Sequence, residues 1–213
     1  MSGASGDWSI NPLWQGFAPL VLASKSAARR GLLEAARLPV ETVSVDVDER
    51  ALETHAVARG SGPSEIALEL ARAKALAGSA ISPGRLVIGA DQTLALGAER
   101  FHKPENRAAA RGQIAHLAGK RHALHSALAV AQDGDILFET VQSAHLTMRA
   151  LDRVALDAYL DAAGDAVLSS VGGYQLEGLG IHLFEAVEGD HAVILGLPLL
   201  PLLGFLREHG VLL

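Results

Sequence analysis

Apolar and polar residues alternate along this chain in two different rhythms. Short apolar runs rich in branched side chains, such as "PLVLAS" at 19–24 and "RLVIGAD" at 85–91, are typical of buried strands. Longer segments with apolar residues every three or four positions, such as "SAARRGLLEAARL" at 26–38, predict amphipathic helices. Since strands and helices follow one another along the chain, the pattern favours an α/β fold with a mixed sheet.

The remaining elements follow from the same two rhythms. The tripeptide "DGD" at 133–135 predicts a hairpin turn, and Pro63 and Pro104 each suit the first turn of a helix. The segment "QTLALG" either continues the strand that ends at Asp91 or pairs back on it. Further strands are predicted at 39–45, 121–131, 136–140 and 142–149, and further helices at 63–77, 104–119 and about 151–162.

The most apolar stretch, residues 192–206, contains two prolines and is too short to cross a bilayer. We interpret it as a buried strand, a Gly-Leu-Pro turn and a core helix. The first 24 residues contain no Lys or Arg and are interrupted by Pro12 and Pro19, so they lack the features of a signal peptide. We therefore expect a cytoplasmic protein with no membrane partner.

Length and composition predict a single globular domain. The 213 residues fit one domain, which we place at 19–213, after an N-terminal extension at 1–18 that carries Trp8 and Trp14. The formal net charge of −6 gives no overall basic field for a nucleic-acid polymer or an anionic membrane. The absence of cysteine excludes disulfides, thiolate nucleophiles and Cys-ligated zinc. An anionic substrate must therefore be bound by local groups.

Two acidic motifs are candidates for chemistry. The strand at 85–91 ends in Asp91, and ligands of open α/β sheets bind beyond the carboxyl ends of strands, so this acid is a candidate general base or metal ligand. In the turn "VDVDER", Asp46, Asp48 and Glu49 offer the hard oxygen ligands that Mg²⁺ or Mn²⁺ prefers. Each motif taken alone also fits an ordinary capped or solvated turn.

The motif "ASKSAARR" at 23–30 leads from a strand directly into a helix. The free N–H groups of such a helix start form an anion site, which Arg29 and Arg30 could extend by binding phosphate oxygens. The alternative is that Ser24 or Ser26 only caps the helix and that both arginines are solvated.

Two lysines are also candidates. Lys74 follows Ile66 and Leu70 at intervals of four, so it lies on a core-facing stripe. This position fits either a stem that snorkels to water or a cleft that faces a polyanion. Lys103 precedes a helix entrance, where the helix dipole disfavours a cation, and this mismatch indicates a nearby negative ligand unless the lysine is simply at the surface.

Two other kinds of site are excluded. His116, His122 and His125 match no familiar zinc spacing, and the last two would point to opposite faces of one strand. The sequence contains neither GxxxxGK[ST] nor GxGxxG after a strand, which are the two commonest glycine-rich phosphate loops.

Taken in order, the motifs resemble the Maf family of nucleoside triphosphate pyrophosphatases, the septum-formation-protein family. The resemblance covers about residues 20–210 and rests on "LVLASKSAARRGLLE", "VDVDE", "ELARAKA", "VIGADQT", "HKP", "LAGKRH", "EGLGI" and "GLPLLPLL". It implies an elongated α/β fold with two lobes, a mixed twisted sheet and a central cleft, similar to the inosine triphosphate pyrophosphatases. It also implies a cytoplasmic enzyme, often a homodimer, that splits a nucleoside triphosphate into a monophosphate and pyrophosphate.

The same resemblance implies roles for individual residues. Asp91 matches the general base, and Glu49 matches the acid that holds Mg²⁺ or Mn²⁺ together with Asp91. Lys74 and Lys103 match lysines on the triphosphate. The first phosphate-contacting segment is matched by Ser24, Arg29 and Arg30, with Ser26 beside them.

Three positions bear on which nucleotide is bound. Gln92 after the strand and Glu177 in "LEG" match the branch associated with 7-methyl-GTP, whereas the thymidine and uridine branch carries threonine and glutamine there. A carboxylate accepts only, which suits the adjacent N–H donors of guanine. Ala28 argues the other way, because the 7-methyl-GTP branch usually has an aromatic residue there that could stack on the base. Phe101, Tyr174 or a tryptophan could supply that stacking instead.

Two alternatives stay open at this point. One is a pyrophosphatase of the same family that acts on dTTP or UTP. The other is a nucleotide-sensing regulator of cell division that binds without turnover. The joint presence of Glu49, Lys74, Asp91 and Lys103 favours an enzyme, since binding alone does not require both a base and a metal acid.

Overall fold

The structure, a computed structural model, describes residues 11–213, and these form seven strands and seven α-helices. The strands are β1 Leu20–Leu22, β2 Val40–Thr42, β3 Val87–Leu96, β4 Glu99–Phe101, β5 Arg121–Gln132, β6 Asp135–Met148 and β7 Phe184–Glu188. The helices are α1 Ala27–Ala35, α2 Glu49–Ala58, α3 Pro63–Ile81, α4 Arg107–Leu117, α5 Arg153–Ala163, α6 His191–Ile194 and α7 Leu199–Glu208. The predicted mixed α/β class is confirmed, while the likeness to inosine triphosphate pyrophosphatases stays a prediction.

All seven strands belong to one mixed sheet, ordered β2-β1-β3-β5-β6-β7, with β4 also paired to β3. Strand β1 runs parallel to β2 and β3, and the other pairs are antiparallel. Strand β5 covers one edge of β3 from residue 87 to residue 95. The opposite edge pairs with β1 at 87–88 and with β4 at 94–96. Among the described strands, none borders residues 89–93 on that side, so a gap opens there.

Strand β3 passes from one hydrophobic core to a second. Ile88 and Ala90 pack in a cluster formed with β1, α1 and α7, whereas Leu94 packs in a cluster formed with α4, α5 and the far ends of β5 and β6. These clusters correspond to the two predicted lobes. The segment of β3 between the cores therefore coincides with the gap at its edge.

Helix α3 lies very close to the sheet at Gly89. A Cβ atom on Gly89 would stand 2.1 Å from the carbonyl oxygen of Ala71 and 2.3 Å from the backbone nitrogen of Ala75. The surrounding interface consists of small side chains, and its buried members are Ala67, Ala71, Ala75, Ala127, Ala129 and Ala131. Because no large side chain separates the two elements, the helix backbone approaches the strand closely.

Local signals in the sequence explain where several elements begin and turn. Asp133 and Gly134 join β5 to β6 with positive φ angles of 50° and 92°, as a two-residue type I′ hairpin requires. The side chains that accept from the first turns of α1, α2, α4, α5 and α6 are Ser26, Asp48, Asn106, Asp152 and Asp190.

The position of Asp91 differs from the prediction. Strand β3 does not end at this residue but continues through it to Leu96, so the first of the two options for "QTLALG" is correct. Asp91 lies opposite Ala127 of β5. It nevertheless stands three residues beyond Ile88, where the parallel pairing with β1 ends, and so beyond the end of the parallel part of the sheet.

Other boundaries also differ. The predicted acidic turn leads into helix α2, which begins at Glu49 and was not predicted; Ala56 is its one buried residue, so it has no long apolar stripe. Helix α4 begins after Asn106 and not at Pro104, since the asparagine side chain caps it. Strand β6 is continuous where two strands were predicted, β7 was not predicted, and residues 191–194 form a helical turn in place of the predicted strand.

The described part of the predicted N-terminal extension packs on the C-terminus. Gln15 N donates to Val211 O over 3.0 Å, and Leu213 N donates to Leu13 O over 2.9 Å. Trp14 packs against the cluster formed with α7. Trp8 and the rest of residues 1–10 lie outside the described residues. Within residues 11–213, no helix is both long enough and apolar enough to cross a membrane.

The contact at Gly89 makes a testable prediction about stability. In Gly89→Ala, the new methyl group meets backbone atoms of α3 that cannot move independently, so we expect the free energy of unfolding to fall by about 3 kcal/mol in urea titrations. The control is Gly112→Ala in α4, where nothing lies within 4 Å, and this change should stabilise by about 0.5–1 kcal/mol. Equal stability of the two variants would contradict the close packing of α3.

Candidate active site

A cleft of about 800 Å³ opens at the gap in the edge of β3. The starts of α1 and α2, the middle of α3, strands β3 and β4, the loop at 169–177 and helix α6 all contribute to its lining. The predicted site residues that line it are Ser24, Ser26, Ala28, Arg29, Glu49, Lys74, Asp91, Gln92, Lys103 and Glu177. The tertiary structure therefore brings together side chains that are up to about 150 positions apart.

Arg30 is the predicted site residue that the structure places elsewhere. It is absent from the cleft lining, its side chain is exposed, and its Nε donates to Glu34 over 2.6 Å, one helical turn away. Two consecutive helical residues differ by about 100° in direction, so Arg29 and Arg30 cannot face the same ligand easily. The expected pair of phosphate-binding arginines is therefore reduced to Arg29.

Lys74 connects the two predicted catalytic carboxylates. Its Nζ lies 2.6 Å from Asp91 Oδ1 and 3.0 Å from Glu49 Oε1. Lys74 and Asp91 are each only 9% exposed, whereas the Glu49 side chain is 51% exposed at the rim of the cleft. A buried ammonium costs much less when two carboxylates satisfy it, so the three groups hold one another in place.

The arrangement of these three groups follows from their elements. Lys74 continues the buried stripe of Ile66 and Leu70 on α3, as the sequence predicted, and points at β3 rather than to water. Asp48 caps α2 and thereby sets Glu49 as the first helical residue. Helix α2 packs on α3 through Leu52 and Ala56. This packing turns Glu49 toward the same ammonium.

Arg29 is part of the wall of the cleft. Its Nε donates to Gly196 O over 2.9 Å, and its Nη1 donates to Ala90 O over 2.8 Å and to Ser24 Oγ over 3.2 Å. Ala90 is on the edge of β3 that lacks a strand neighbour, so the guanidinium satisfies a carbonyl that a strand would otherwise bind. Burial lowers the pKa of Arg29, while the charges of Asp91 and Glu49 oppose that shift.

The N-terminus of α1 lies at the cleft. Ser26 Oγ accepts from Arg29 N and so caps α1, as one of the two alternatives for the serines proposed, whereas Ser24 Oγ accepts from Ser26 N in the turn before the helix. The amides of Ala27 and Ala28, in the first turn, have no intrahelical partner and lie at the cleft. Capping and anion binding are therefore compatible here, because the caps use different atoms from those that a ligand would contact.

Gln92 fixes the position of α6. Its Nε2 donates to Ser126 Oγ over 2.9 Å, to Ile194 O over 2.9 Å and to Val193 O over 3.1 Å. Ser126 Oγ itself donates to Val193 O over 2.6 Å. With three acceptors around one atom, the nitrogen of the amide is identified by its neighbours. The side-chain nitrogen of Gln92 is therefore bonded within the protein, whereas its side-chain oxygen is available to a ligand.

The far end of the cleft carries Glu177 and two aromatic residues. Glu177 is exposed on the loop that follows Tyr174. The two ends of this loop approach closely, because a Cβ atom on Gly180 would stand 2.3 Å from Gln175 O. Tyr174 and Phe101 both line the cleft but are buried in its wall. Trp14 is absent from the lining. The aromatic candidates for stacking that remain at the cleft are therefore Tyr174 and Phe101.

Behind the cleft, Tyr174 is tied to a buried histidine. His122 Nε2 lies 2.7 Å from Tyr174 Oη, and His122 Nδ1 has no hydrogen-bond partner among the described residues. Burial lowers the pKa of His122 to about 4 and raises the pKa of Tyr174. His125, on the same strand, instead contacts Ser143 Oγ over 2.7 Å on the other face, as the alternation predicted.

The residues at the cleft fit a divalent metal as a two-carboxylate set. Glu49 and Asp91 both contact one ammonium, so their carboxyl groups lie near each other and are the ones that would hold such a cation. Within residues 11–213, no cluster of three or more His, Asp or Glu side chains could hold a metal alone. Mg²⁺ is typically bound by one or two carboxylates together with substrate phosphates, and this donor set agrees with that pattern.

Sequence reasoning missed three charged residues of the cleft. Lys25 stands between Ser24 and Ser26, Glu53 follows Glu49 by one helical turn, and Arg100 lies in the short strand β4. The spacing of Glu49 and Glu53 would have placed both on one face if helix α2 had been predicted. No local signal distinguished Arg100, because its position depends on the pairing of β4 with β3.

Comparisons with known proteins identify relatives along nearly the whole chain. The family model described as Maf-like protein matches residues 19–209. The chain is 58% identical over 200 residues to the nucleoside triphosphate pyrophosphatase of Bradyrhizobium diazoefficiens, covering 94% of this chain and 98% of the relative. It is 55% identical to the protein of the same name from Rhodopseudomonas palustris over 94% and 98% of the two chains. It is also 51% identical to the 7-methyl-GTP pyrophosphatase of Brucella abortus over 89% and 96%.

The buried histidine makes a prediction about pH. Since the pKa of His122 is about 4 in the folded protein against 6.5 in an unfolded chain, its stabilising effect is complete above about pH 6.5 and is lost as the pH falls toward 4. We expect the wild type to lose about 2 kcal/mol more stability between pH 7 and pH 5 than His122→Gln does, measured by urea unfolding. Thr54→Ala, at an exposed residue with no titratable group, is the control and should follow the wild type. Parallel curves for wild type and His122→Gln would contradict the burial effect.

Proposed function

The chain belongs to the Maf-like protein family, and from that premise we propose that it is a nucleoside triphosphate pyrophosphatase that acts at this cleft. The observation that carries the proposal is the convergence of Asp91 and Glu49 on Lys74 at a gap in the sheet edge. Basic groups and free helix amides surround that point, so a polyanion and an acid–base group meet in one place.

The proposed reaction is hydrolysis of the bond between the α and β phosphates. The oxygen of a water attacks the α-phosphorus, the bond from that phosphorus to the bridging oxygen breaks, and the electron pair leaves with pyrophosphate. Asp91 takes the proton of the water. Lys74 contacts its Oδ1, whereas Oδ2 accepts no hydrogen bond from residues 11–213 and stays accessible, so it is the oxygen suited to a water.

The cationic groups of the cleft are suited to the phosphates. Lys103 and Lys25 are exposed at the lining and form no ion pair within the described residues, so their charges are available to a ligand. The amides of Ala27 and Ala28 add oriented dipoles. Lys74 is different, because its contacts are already made to two carboxylates; we propose that it positions Asp91 and neutralises charge at the reacting end.

Glu49 and Asp91 would hold Mg²⁺ or Mn²⁺, with phosphate oxygens of the nucleotide completing the coordination. A divalent ion at such a site supplies charge neutralisation at the transferring phosphoryl group. Both proposed roles of Asp91, as the base and as a metal ligand, use the carboxylate that Lys74 orients.

For the nucleobase, we propose a guanine-type substrate, such as a 7-methylguanine nucleotide. Glu177 is exposed at the far end of the cleft, where an acceptor suits the N–H donors of guanine and a negative charge suits a methylated ring. The name of the Brucella relative supports this choice. A dTTP- or UTP-type substrate is the alternative, and a nucleotide sensor without turnover is less well supported, since the relatives are named for pyrophosphatase activity. The cytoplasmic location and the homodimer stay predictions.

The first prediction of the proposed function concerns Asp91. Asp91→Asn keeps the shape of the side chain but removes the base, so we expect pyrophosphate release to fall at least about 10²-fold while the circular dichroism spectrum is retained. The measurement is pyrophosphate release from a panel of nucleoside triphosphates, with Mg²⁺, with Mn²⁺ and with a chelator. The control is Asp161→Asn, whose carboxylate pairs with Arg107 away from the cleft. Full activity in Asp91→Asn would remove this residue from the mechanism.

The second prediction concerns Glu177. If its carboxylate accepts from guanine, Glu177→Gln should lower kcat/KM for 7-methyl-GTP and GTP by about tenfold relative to dTTP and UTP. Glu185→Gln, at an exposed glutamate outside the cleft lining, is the control and should leave the ratio unchanged. A uniform loss across all nucleotides would show that Glu177 does not read the base.

A further inference from the structure

Arg100 is a partly buried guanidinium without a hydrogen bond. Its side chain is 16% exposed, and its nearest acid is Glu53, with 3.6 Å between Arg100 Nη1 and Glu53 Oε2. No residue in the described range accepts a hydrogen bond from it, yet its nitrogens stay accessible from the cleft. Arg29 differs, since its Nε and Nη1 already donate to protein oxygens. A guanidinium so far out of water requires acceptors, and the cleft is where they can come from.

The register of the sheet places Arg100 on the same face as Asp91. Arg100 lies opposite Ala95 in the antiparallel pair of β3 and β4, so both side chains point to one face. Ala95 shares that face with Asp91, because the two are four residues apart on one strand. Lys103 follows three residues after Arg100 and lines the same cleft. Arg100 thus belongs to the reacting face and to the side of Lys103.

Two acids on helix α2 each face one cation of the cleft. Glu49 and Glu53 are four residues apart on α2, so they lie on one face with about 5–6 Å between their Cβ atoms. Glu49 contacts Lys74 and Glu53 contacts Arg100. The cations therefore form a short row along the cleft, which suits consecutive phosphoryl groups of one chain.

The contact with Glu53 is weak enough to be exchanged. Its length of 3.6 Å exceeds that of a charge-assisted hydrogen bond, and Glu53 Oε2 is shared with His102 Nδ1 at 3.8 Å. A phosphate presents several strong acceptors that match the planar guanidinium fork. A phosphate can thus displace the carboxylate, and Glu53, whose side chain is 21% exposed, then meets the water of the cleft.

We propose that Arg100 is a further phosphate-binding residue of this site, that it binds the phosphoryl groups that leave as pyrophosphate, and that Glu53 is its exchangeable counter-ion. The inference rests on the proposed function for its substrate. It adds a phosphate-binding side chain to the side of the cleft that Lys103 occupies. Its specific claim is that Arg100 attracts the phosphate, whereas Glu53 competes with the phosphate for Arg100.

The test measures a dissociation constant and a KM in three variants of the full chain. Arg100→Gln should raise the dissociation constant for inorganic pyrophosphate, determined by titration calorimetry, and the KM for the nucleotide by at least about tenfold. Glu53→Gln removes the competitor but keeps the cation, so it should bind pyrophosphate as tightly as the wild type or more tightly. Arg59→Gln is the matched control, because Arg59 pairs with Glu69 outside the cleft lining, and it should change neither quantity.

Each outcome decides between a ligand and a structural pair. If Arg100 only stabilised the packing of β4 against α2, Arg100→Gln and Glu53→Gln would weaken pyrophosphate binding to the same extent. That result would overturn the inference. Unchanged pyrophosphate affinity in Arg100→Gln would also overturn it. If the wild type released no pyrophosphate from any nucleotide, the proposed function would fail, while the calorimetric comparison of the variants would still test Arg100 by itself.

Discussion

The close approach of helix α3 to strand β3 determines where the charged groups of the cleft stand. At Gly89 the helix backbone contacts the strand directly, and the alanines around this point leave no room for larger side chains. Between the contacting residues Ala71 and Ala75, this approach places the Lys74 ammonium within hydrogen-bond distance of Asp91. A helix kept farther away by larger residues would leave a buried carboxylate without its cation, at a cost of several kcal/mol. The small residues are therefore as much a part of the site as the charged ones.

The second constraint is the interruption in the edge of β3. A continuous strand on that side would pair the backbone and close the surface, whereas β1 and β4 stop short of each other and leave residues 89–93 open. Arg29 binds the carbonyl of Ala90 that is released in this way, and it connects α1 to the loop at Gly196. The protein thus obtains a cleft at the boundary of its two hydrophobic cores without leaving that strand carbonyl unsatisfied.

The cations of the cleft differ in whether a carboxylate of the protein already faces them. Lys74 is held by two carboxylates, and Arg100 faces one, so these cations are partly neutralised before any ligand arrives. Lys25 and Lys103 are exposed and form no ion pair within the described residues, so their attraction for an anion is opposed only by water. This division explains how a chain with a net charge of −6 can be suited to a polyanion: the cations are concentrated where one cleft gathers them.

The sequence by itself determined the α/β class, most of the helices and strands, and ten of the residues that line the cleft. It did so because periodicity records which face of an element is buried, and because the ordered motifs resemble a family. It could not decide that β3 runs on through Asp91, that α2 begins at Glu49, or that Arg30 turns away while Arg29 turns inward. Those outcomes depend on contacts between distant segments. Strand β5 pairs with β3 beyond Asp91, α3 packs against α2, and the carbonyls of Gly196 and Ala90 accept hydrogen bonds from Arg29. Only the tertiary structure decided them, since the free energy of such contacts is absent from any single stretch of the chain.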